Sequence, residues 1–356
     1  MITSNFSIYN YYLVKRRKGC GFLYNLNSFK PTKFALFLSF MLIISTCLIG
    51  CGNKSEIKSS NNDFSSTTNI EETKVAEGDY ASNLKGTRDN TPHCLIPVHD
   101  GILLTGNDFV SIDASHTDQG YVMVQYTGTN TKVKLQITGP NNITYTYNLS
   151  SQFEAFPFTS DSGDYTIAVF ENISGQQYAT VYEEQYTVQL ENEFLPYLYS
   201  SQYVNYDDNS LAVKTASELA YSADDDLTVV SNIYNYIIST VTYDYDKATS
   251  VQSGYIPVVD DLLINKTGIC FDFASCMAAM LRSQGIPTRL EIGYAGDAYH
   301  AWISTYLDEI GWVNGIIEFD GISWKLMDPT FAASSTEKQL KEFIGDGENY
   351  ITKYIY

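Results

Sequence analysis

Residues 266–282, KTGICFDFASCMAAMLR, decide the fold of the chain. Gly268 interrupts the preceding segment, and Phe273 and Met277 then recur at helical spacing, which predicts a buried helix that begins at or near Cys270. A thiol in the first turn of a helix meets unpaired backbone N–H groups and the positive end of the helix dipole. Both favour the thiolate, which is the nucleophilic form of cysteine. The stretch therefore predicts a helix that carries a reactive cysteine at its start.

A cysteine nucleophile needs a general base, and one histidine, His300, lies downstream of Cys270. An imidazole in such a pair is usually held by a carboxylate or an amide, and Asp328, at the end of a strand-like segment, is the candidate for that role. If the strands that carry His300 and Asp328 are neighbours in a sheet packed against the helix, the three groups converge. Taken singly, each residue also has a purely structural explanation. Cys270 could be a small buried residue, His300 a hydrogen-bonded core histidine, and Asp328 part of a turn-forming Asp-Pro. Their joint occurrence in this order favours catalysis.

The composition limits the class of protein. The chain has 356 residues, of which 44% are hydrophobic, and a formal net charge of −19. This length suffices for two ordinary domains with buried cores. Residues 1–51 contain basic but no acidic residues, so the rest of the chain is more acidic still. The acidic charge of residues 52–356 argues against nucleic-acid partners and favours cationic or neutral ones.

An apolar run at residues 34–49 follows a basic segment and ends in Leu48-Ile49-Gly50-Cys51. The run suits a signal-peptide core and is shorter than the roughly 20 residues of a membrane-spanning helix. Its end looks like the lipobox of bacterial lipoproteins, in which the cysteine is lipidated. We therefore expect a signal peptide over residues 1–51, lipidation of Cys51 and anchoring to the outer face of the bacterial cell membrane. An uncleaved membrane anchor and a coincidental cysteine are the alternatives.

Two further regions separate this segment from the reactive cysteine. Residues 52–92 are rich in Ser, Asn and Thr, which predicts a disordered linker. Residues 93–195 contain short alternating runs between turn residues, with a hairpin signal at 139–142, and predict a small antiparallel β-sandwich of roughly six or seven strands. A spacer or a wall of the active site is its expected role, and polysaccharide binding is the alternative.

Residues 196–356 predict an α+β domain, because helices come first and antiparallel strands follow. The expected helices cover residues 210–223, about 227–241, about 260–264 and the helix that begins at Cys270. The expected strands cover residues 288–294, 299–306, 316–319 and 322–327. Cys276, six residues after Cys270 and about 9 Å along the helix axis, is too far away for a disulfide. It is expected to be a core residue.

The histidines upstream of His300 are scattered rather than placed at metal-ligand spacing. The run Asp224-Asp225-Asp226 lacks the spaced oxygen ligands of a calcium loop and is better explained as a helix cap. The sequence therefore predicts neither a metal site nor a cofactor.

Five short blocks together resemble the transglutaminase-like superfamily. They are Gly268–Asp272, Gly285–Arg289, Gly293–Tyr294, His300–Trp302 and Trp324–Thr330. The resemblance covers about residues 210–335 and implies a papain-like core in which the nucleophile helix packs on an antiparallel sheet. It assigns Cys270 as the nucleophile, His300 as general base and then acid, and Asp328 as the group that orients His300. Papain-like and cell-wall endopeptidase-like enzymes also place Cys before His, but the third position favours the transglutaminase-like family.

The oxyanion hole of that family usually combines the backbone N–H of the nucleophile with an upstream side-chain donor. No tryptophan precedes Trp302, so Tyr243 and Tyr245 are the candidates for the donor. Losing one such donor can cost roughly 100- to 1000-fold in rate.

The resemblance implies acyl transfer through a thioester on Cys270, with either water or an amine as acceptor. The first outcome is a peptidase or amidase and the second a cross-linking transglutaminase, and the sequence leaves both open. Protein or peptide substrates, with cell-wall peptides among them, and a lipid-anchored membrane are the expected partners. The alternative is a catalytically silent binding or scaffold protein with the same fold.

Overall fold

The computed structural model describes residues 84–295, 298–308, 310–314, 316–319, 324–327 and 350–356. The expected signal peptide with Cys51, the linker up to residue 83 and the side chain of Asp328 lie outside these residues. Within the described part of the chain, no helix is long and apolar enough to cross a membrane.

Two antiparallel sheets of four strands each pack face to face in the N-terminal half of the described chain. In chain order the strands are β1 (Leu104–Gly106), β2 (Val110–Asp113), β3 (Tyr121–Tyr126), β4 (Val133–Thr138), β5 (Thr144–Asn148), β6 (Glu154–Pro157), β7 (Gly163–Ser174) and β8 (Gln177–Val188). One sheet has the order β1-β2-β3-β6 and the other β5-β4-β7-β8. Alternate side chains of both sheets are buried in one shared core, as period-two strands require. The predicted sandwich is therefore present, with eight strands.

In the described part of the chain, five α-helices follow the sandwich. They are α1 (Leu211–Ala220), α2 (Asp226–Thr240), α3 (Tyr245–Ser250), α4 (Val259–Asn265) and α5 (Cys270–Arg282). The side chain of Asp225 caps α2 by accepting from the backbone N–H of Thr228, so the aspartate run caps a helix as expected. Every residue of α5 from Asp272 to Arg282 is buried, which is the pattern of a helix at the centre of a core.

The remaining described strands build a third four-stranded antiparallel sheet and two short pairs. They are β9 (Thr242–Tyr243), β10 (Thr267–Gly268), β11 (Thr288–Ala295), β12 (Ala298–Leu307), β13 (Gly311–Asn314), β14 (Ile316–Phe319), β15 (Trp324–Met327) and β16 (Tyr350–Ile355). The sheet has the order β13-β12-β11-β16. Helix α5 packs against β11 and β12 on one side and against α1, α2 and α4 elsewhere. This arrangement confirms the predicted α+β core, in which the helix that begins at Cys270 packs on an antiparallel sheet.

The pairing of the described strands bears on how His300 and Asp328 could converge. The sequence leaves open whether the strand before Asp328 lies beside the strand of His300. In the structure β12 pairs with β11 and β13, whereas β15 pairs with β14.

A buried arginine joins the C-terminal end of α5 to the rest of the core. Arg282 is fully buried, and its guanidinium donates to the backbone carbonyls of Thr288, Tyr199 and Tyr356, each at 2.9 Å. Burial lowers the pKa of Arg282 to about 10. The three carbonyls belong to β11, to the segment after the sandwich and to the residue that follows β16. One side chain therefore fixes the far end of the helix that begins at Cys270.

Candidate active site

Cys270 is the first residue of α5, where the sequence places it, and its side chain is half-buried. The chain reaches it through β10, which pairs in parallel with β9 so that Gly268 lies opposite Tyr243. The backbone N–H of Asp244 donates to the carbonyl of Gly268 at 2.8 Å. A Cβ at Gly268 would lie 2.6 Å from the side chain of Leu262 and 2.9 Å from that of Asp272. The tight turn before the cysteine therefore requires glycine.

Asp272, the third residue of α5, holds the start of the helix. Its buried carboxylate accepts from the backbone N–H of Ile269 at 2.9 Å, from the Tyr255 hydroxyl at 2.5 Å and from the Lys247 ammonium at 2.7 Å. Burial acts to lower the pKa of Lys247, but its bonds to Asp272 and Tyr255 outweigh burial and raise it. The role of this cluster was missed from the sequence, where its members come from three separate segments.

His300 lies on β12, one of the two strands against which α5 packs. Its imidazole is buried and stacks on the ring of Trp302, with 6.3 Å between ring centroids. In the sheet it lies opposite Gly293, where a Cβ would come within 2.0 Å of the carbonyl oxygen of Ile351 on β16. Gly293 therefore allows β16 to approach closely next to the histidine.

The residue before His300 lies within electrostatic range of the cysteine. Burial raises the pKa of Tyr299, and the charges of Tyr354, Tyr294 and Cys270 add to the rise. Together with the packing of α5 against β12, this places Tyr299 near the first turn of α5. Asp328 follows β15 directly, but its side chain lies outside the described residues.

The two oxyanion candidates lie beside the loop that leads to Cys270. Tyr243 is half-buried next to Gly268, and Tyr245 is 62% exposed at the start of α3. Their rings are 4.9 Å apart in an edge-to-face arrangement. Of the two, only Tyr243 lies on β9, whose backbone pairs with β10 just before Cys270.

The other two thiols of the described residues differ from Cys270. Cys276 is fully buried in the core, as expected, and burial raises the pKa of its thiol. Cys94 is half-buried, and burial together with the carboxylate of Asp208 raises its pKa to about 12. Thiolate formation is therefore disfavoured at both of these positions.

The sandwich reaches the site through its strand β5. The ring of Tyr147 lies 5.5 Å from that of Tyr203, which in turn lies 5.3 Å from the ring of Phe271, the neighbour of Cys270. The side-chain amide of Asn148 donates to the carbonyl of Gly254 at 3.2 Å, next to Tyr255 in the sequence. The sandwich therefore contacts the loop that supplies a partner of Asp272 directly, and it reaches the helix of Cys270 through Tyr203.

The chain is similar to known proteins over part of its length. Residues 213–315 match the model of the transglutaminase-like superfamily. The chain is 28% identical over 142 residues to YebA, an uncharacterised protein of Bacillus subtilis, covering 33% of this chain and 19% of that protein. It is 30% identical over 111 residues to a protein-glutamine gamma-glutamyltransferase of Pseudomonas aeruginosa, covering 26% of this chain and 15% of that protein. The matched region thus spans less than a fifth of either relative.

A comparison with solved structures matches the periplasmic domain of TgpA from Pseudomonas aeruginosa. The sequence identity is 16%, the TM-score is 0.29, and the match covers 68% of this chain and 98% of that one.

Proposed function

We propose that this chain, whose residues 213–315 match the model of the transglutaminase-like superfamily, is a cysteine-dependent acyl-transfer enzyme that acts on amide bonds of proteins or peptides. One observation supports this proposal above the others. A half-buried thiol opens a buried helix, and that helix packs against the strand that carries the histidine. The first turn of a helix offers both a favourable dipole for a thiolate and free backbone N–H donors for an oxyanion.

In the proposed mechanism the Cys270 thiolate attacks the amide carbonyl and a C–S bond forms. His300, as imidazolium, gives its proton to the departing amine while the C–N bond breaks. Asp328 orients His300 and stabilises its charged form. The backbone N–H of Cys270 donates to the oxyanion, and Tyr243 is the proposed side-chain donor. The product of this half-reaction is a thioester on Cys270 with the acyl part of the substrate.

The second half-reaction decides between two activities. His300 takes a proton from water or from an amine, which then attacks the thioester and releases the thiolate. Water gives a hydrolysed amide, and a lysine-like amine gives a cross-link. How well the acceptor side of the site excludes water sets the ratio of the two products.

A glutamine-containing peptide and a dansylated amine test this proposal directly. The full chain is incubated with both, and mass spectrometry separates three products: amine incorporation, deamidation and peptide cleavage. We expect at least one of them with the wild type and with Cys276→Ala, and none with Cys270→Ala. Equal product formation by Cys270→Ala would remove the thiol from the mechanism. Absence of every product, also with cell-wall peptides as substrates, would favour a silent binding protein.

We also propose that the chain is exported and anchored to the outer face of the cell membrane through lipidated Cys51. The support is the apolar run that ends in Leu48-Ile49-Gly50-Cys51. Metabolic labelling with a fatty acid should mark the wild-type protein and leave Cys51→Ala unlabelled. Equal labelling of both proteins would contradict the assignment. Cell-wall peptides and surface proteins are the substrates that such a location would offer first.

A further inference from the structure

The start of the nucleophile helix contains a buried triangle of charged and polar groups. Asp272 is 4% exposed, and both of its carboxylate oxygens are occupied: one by the Tyr255 hydroxyl, the other by the Lys247 ammonium and the N–H of Ile269. The ammonium of Lys247 also donates to the Tyr255 hydroxyl at 2.8 Å and lies 4.5 Å from the centroid of that ring. The three side chains therefore lock one another.

Each corner of this triangle is fixed from outside. Lys247 lies on α3, whose N-cap residue Asp244 accepts from the Lys247 backbone N–H and donates its own N–H to Gly268. Tyr255 lies in the loop 251–258, which the sandwich holds through Gly254. The position of Lys247 relative to the first turn of α5 is thus set by backbone bonds on one side and by the sandwich on the other.

The carboxylate of Asp272 has two opposing effects on the site, and the triangle removes the unfavourable one. A carboxylate at the third position of a helix stabilises the helix start. The same carboxylate, two residues from the nucleophile, opposes a second negative charge on the Cys270 sulfur. A cation bonded directly to the carboxylate cancels most of that repulsion, because the pair then acts as a dipole rather than as a net charge.

We propose that Lys247 is a positioning residue of the Cys270 site: it neutralises Asp272 so that the buried carboxylate can hold the start of α5 without opposing the thiolate. This inference rests on the proposed function for its purpose, and it assigns a role to a lysine outside the Cys-His-Asp set. It also gives the sandwich a part in the site, since the sandwich holds the loop of Tyr255. Other ionisable groups come near the same turn from the packed elements: Asp244 from the end of β9, and Tyr299 and His300 from β12. Asp260 on α4 instead accepts from the backbone N–H groups of Leu211 and Ala212 at the start of α1.

The test is the pH dependence of Cys270 alkylation by iodoacetamide, followed by mass spectrometry of the peptide that contains Cys270. In the wild type the rate rises with pH until the thiol is fully ionised. Lys247→Met should shift this rise upward by about one pH unit, which is a roughly tenfold slower alkylation below the transition. The plateau at high pH should stay the same, because the fully formed thiolate is equally accessible in both proteins.

Three further variants separate charge compensation from a general structural effect. Lys132→Met removes an equal charge from an exposed position of the sandwich and should leave the profile unchanged. Lys247→Arg keeps the charge and should keep the wild-type profile. Asp272→Asn combined with Lys247→Met removes both charges and should bring the profile back toward the wild type.

Two results would overturn the inference. One is a wild-type profile for Lys247→Met, and the other is an upward shift that persists in the double variant, since neither fits charge compensation. If Lys247→Met does not fold, the profile of Lys247→Arg decides, and a shift there contradicts the proposal. The measurement follows thiol ionisation rather than turnover. A shifted profile in a protein without acyl-transfer activity would therefore refute the proposed function and leave the role of Lys247 intact.

Discussion

Replacing Arg282 with methionine should destabilise the protein by about 3 kcal/mol. Methionine keeps most of the apolar stem of the side chain but leaves the carbonyls of Thr288, Tyr199 and Tyr356 without their shared donor. Tyr356 keeps the backbone N–H of Leu290 as a second donor, at 2.9 Å. Each lost hydrogen bond from a charged donor costs about 1.5–3 kcal/mol, so the three together cost about 6 to 7 kcal/mol at the middle of that range. Against this, methionine no longer buries a charge.

The gain from removing the charge can be taken from the pKa of Arg282. Burial lowers that pKa from 12.5 to about 10, which corresponds to about 3 kcal/mol disfavouring the charged form in the folded protein. The net loss is therefore about half of the lost hydrogen bonding. Arg282→Met is therefore destabilising because one guanidinium donates to three carbonyls. Losing these three hydrogen bonds costs more than is gained by no longer burying the charge.

Chemical denaturation of the wild type and of Arg282→Met, analysed by linear extrapolation, measures this difference. Lys132→Met, an exposed substitution, serves as the control and should change the free energy of unfolding by less than about 0.5 kcal/mol. Arg282→Lys should also be destabilised, since an ammonium cannot match the planar fork that reaches three carbonyls. A loss below about 1 kcal/mol for Arg282→Met would refute the reasoning, because the three hydrogen bonds would then contribute little more than the desolvation of the charge.

Three further outcomes follow from single positions. In chemical denaturation, the free energy of unfolding should fall by about 2 kcal/mol for Gly254→Ala and by about 1 kcal/mol for Gly175→Ala. Both glycines have positive φ, at 88° and 55°. Only at Gly254 would the added Cβ meet a neighbour, the side-chain amide of Asn148 at 2.3 Å. Equal losses would contradict the contact. At pH 8 iodoacetamide should label Cys94 at least tenfold more slowly than Cys270, since burial and nearby carboxylate charge raise the Cys94 pKa to about 12; comparable peptide labelling would contradict this. Asp225→Ala should cost about 1 kcal/mol through loss of the α2 cap, and an unchanged melting temperature would contradict the cap.

The elements around Cys270 could be predicted because their signals are local. Gly268 and the apolar spacing after it predict a helix that begins at Cys270, and the structure places the first helical residue there. The strands at 288–295 and 298–307 were expected within one residue of their observed ends. Helix α3 was not predicted, since its six residues contain no apolar period. Strand β16 was also missed, since YITKYI does not alternate apolar and polar residues.

The contacts that complete the site could not be predicted, because they join distant segments. Lys247 and Tyr255 reach Asp272 across 25 and 17 residues, and the loop of Tyr255 is held by a sandwich residue 106 positions earlier. Nothing local marks Arg282 as buried either, since a basic residue in the last turn of a helix usually lies at the surface. The burial depends on three carbonyls that only the folded chain brings together.

Identification of a covalent intermediate tests the central claim most directly. The reaction with a glutamine-containing peptide is stopped with acid within the first turnovers, and the digested protein is sequenced by mass spectrometry. The account predicts an acyl group on Cys270, as a thioester that disappears when an amine is added before the acid. Acyl transfer that proceeds with no adduct on Cys270, and at the same rate in Cys270→Ala, would contradict it.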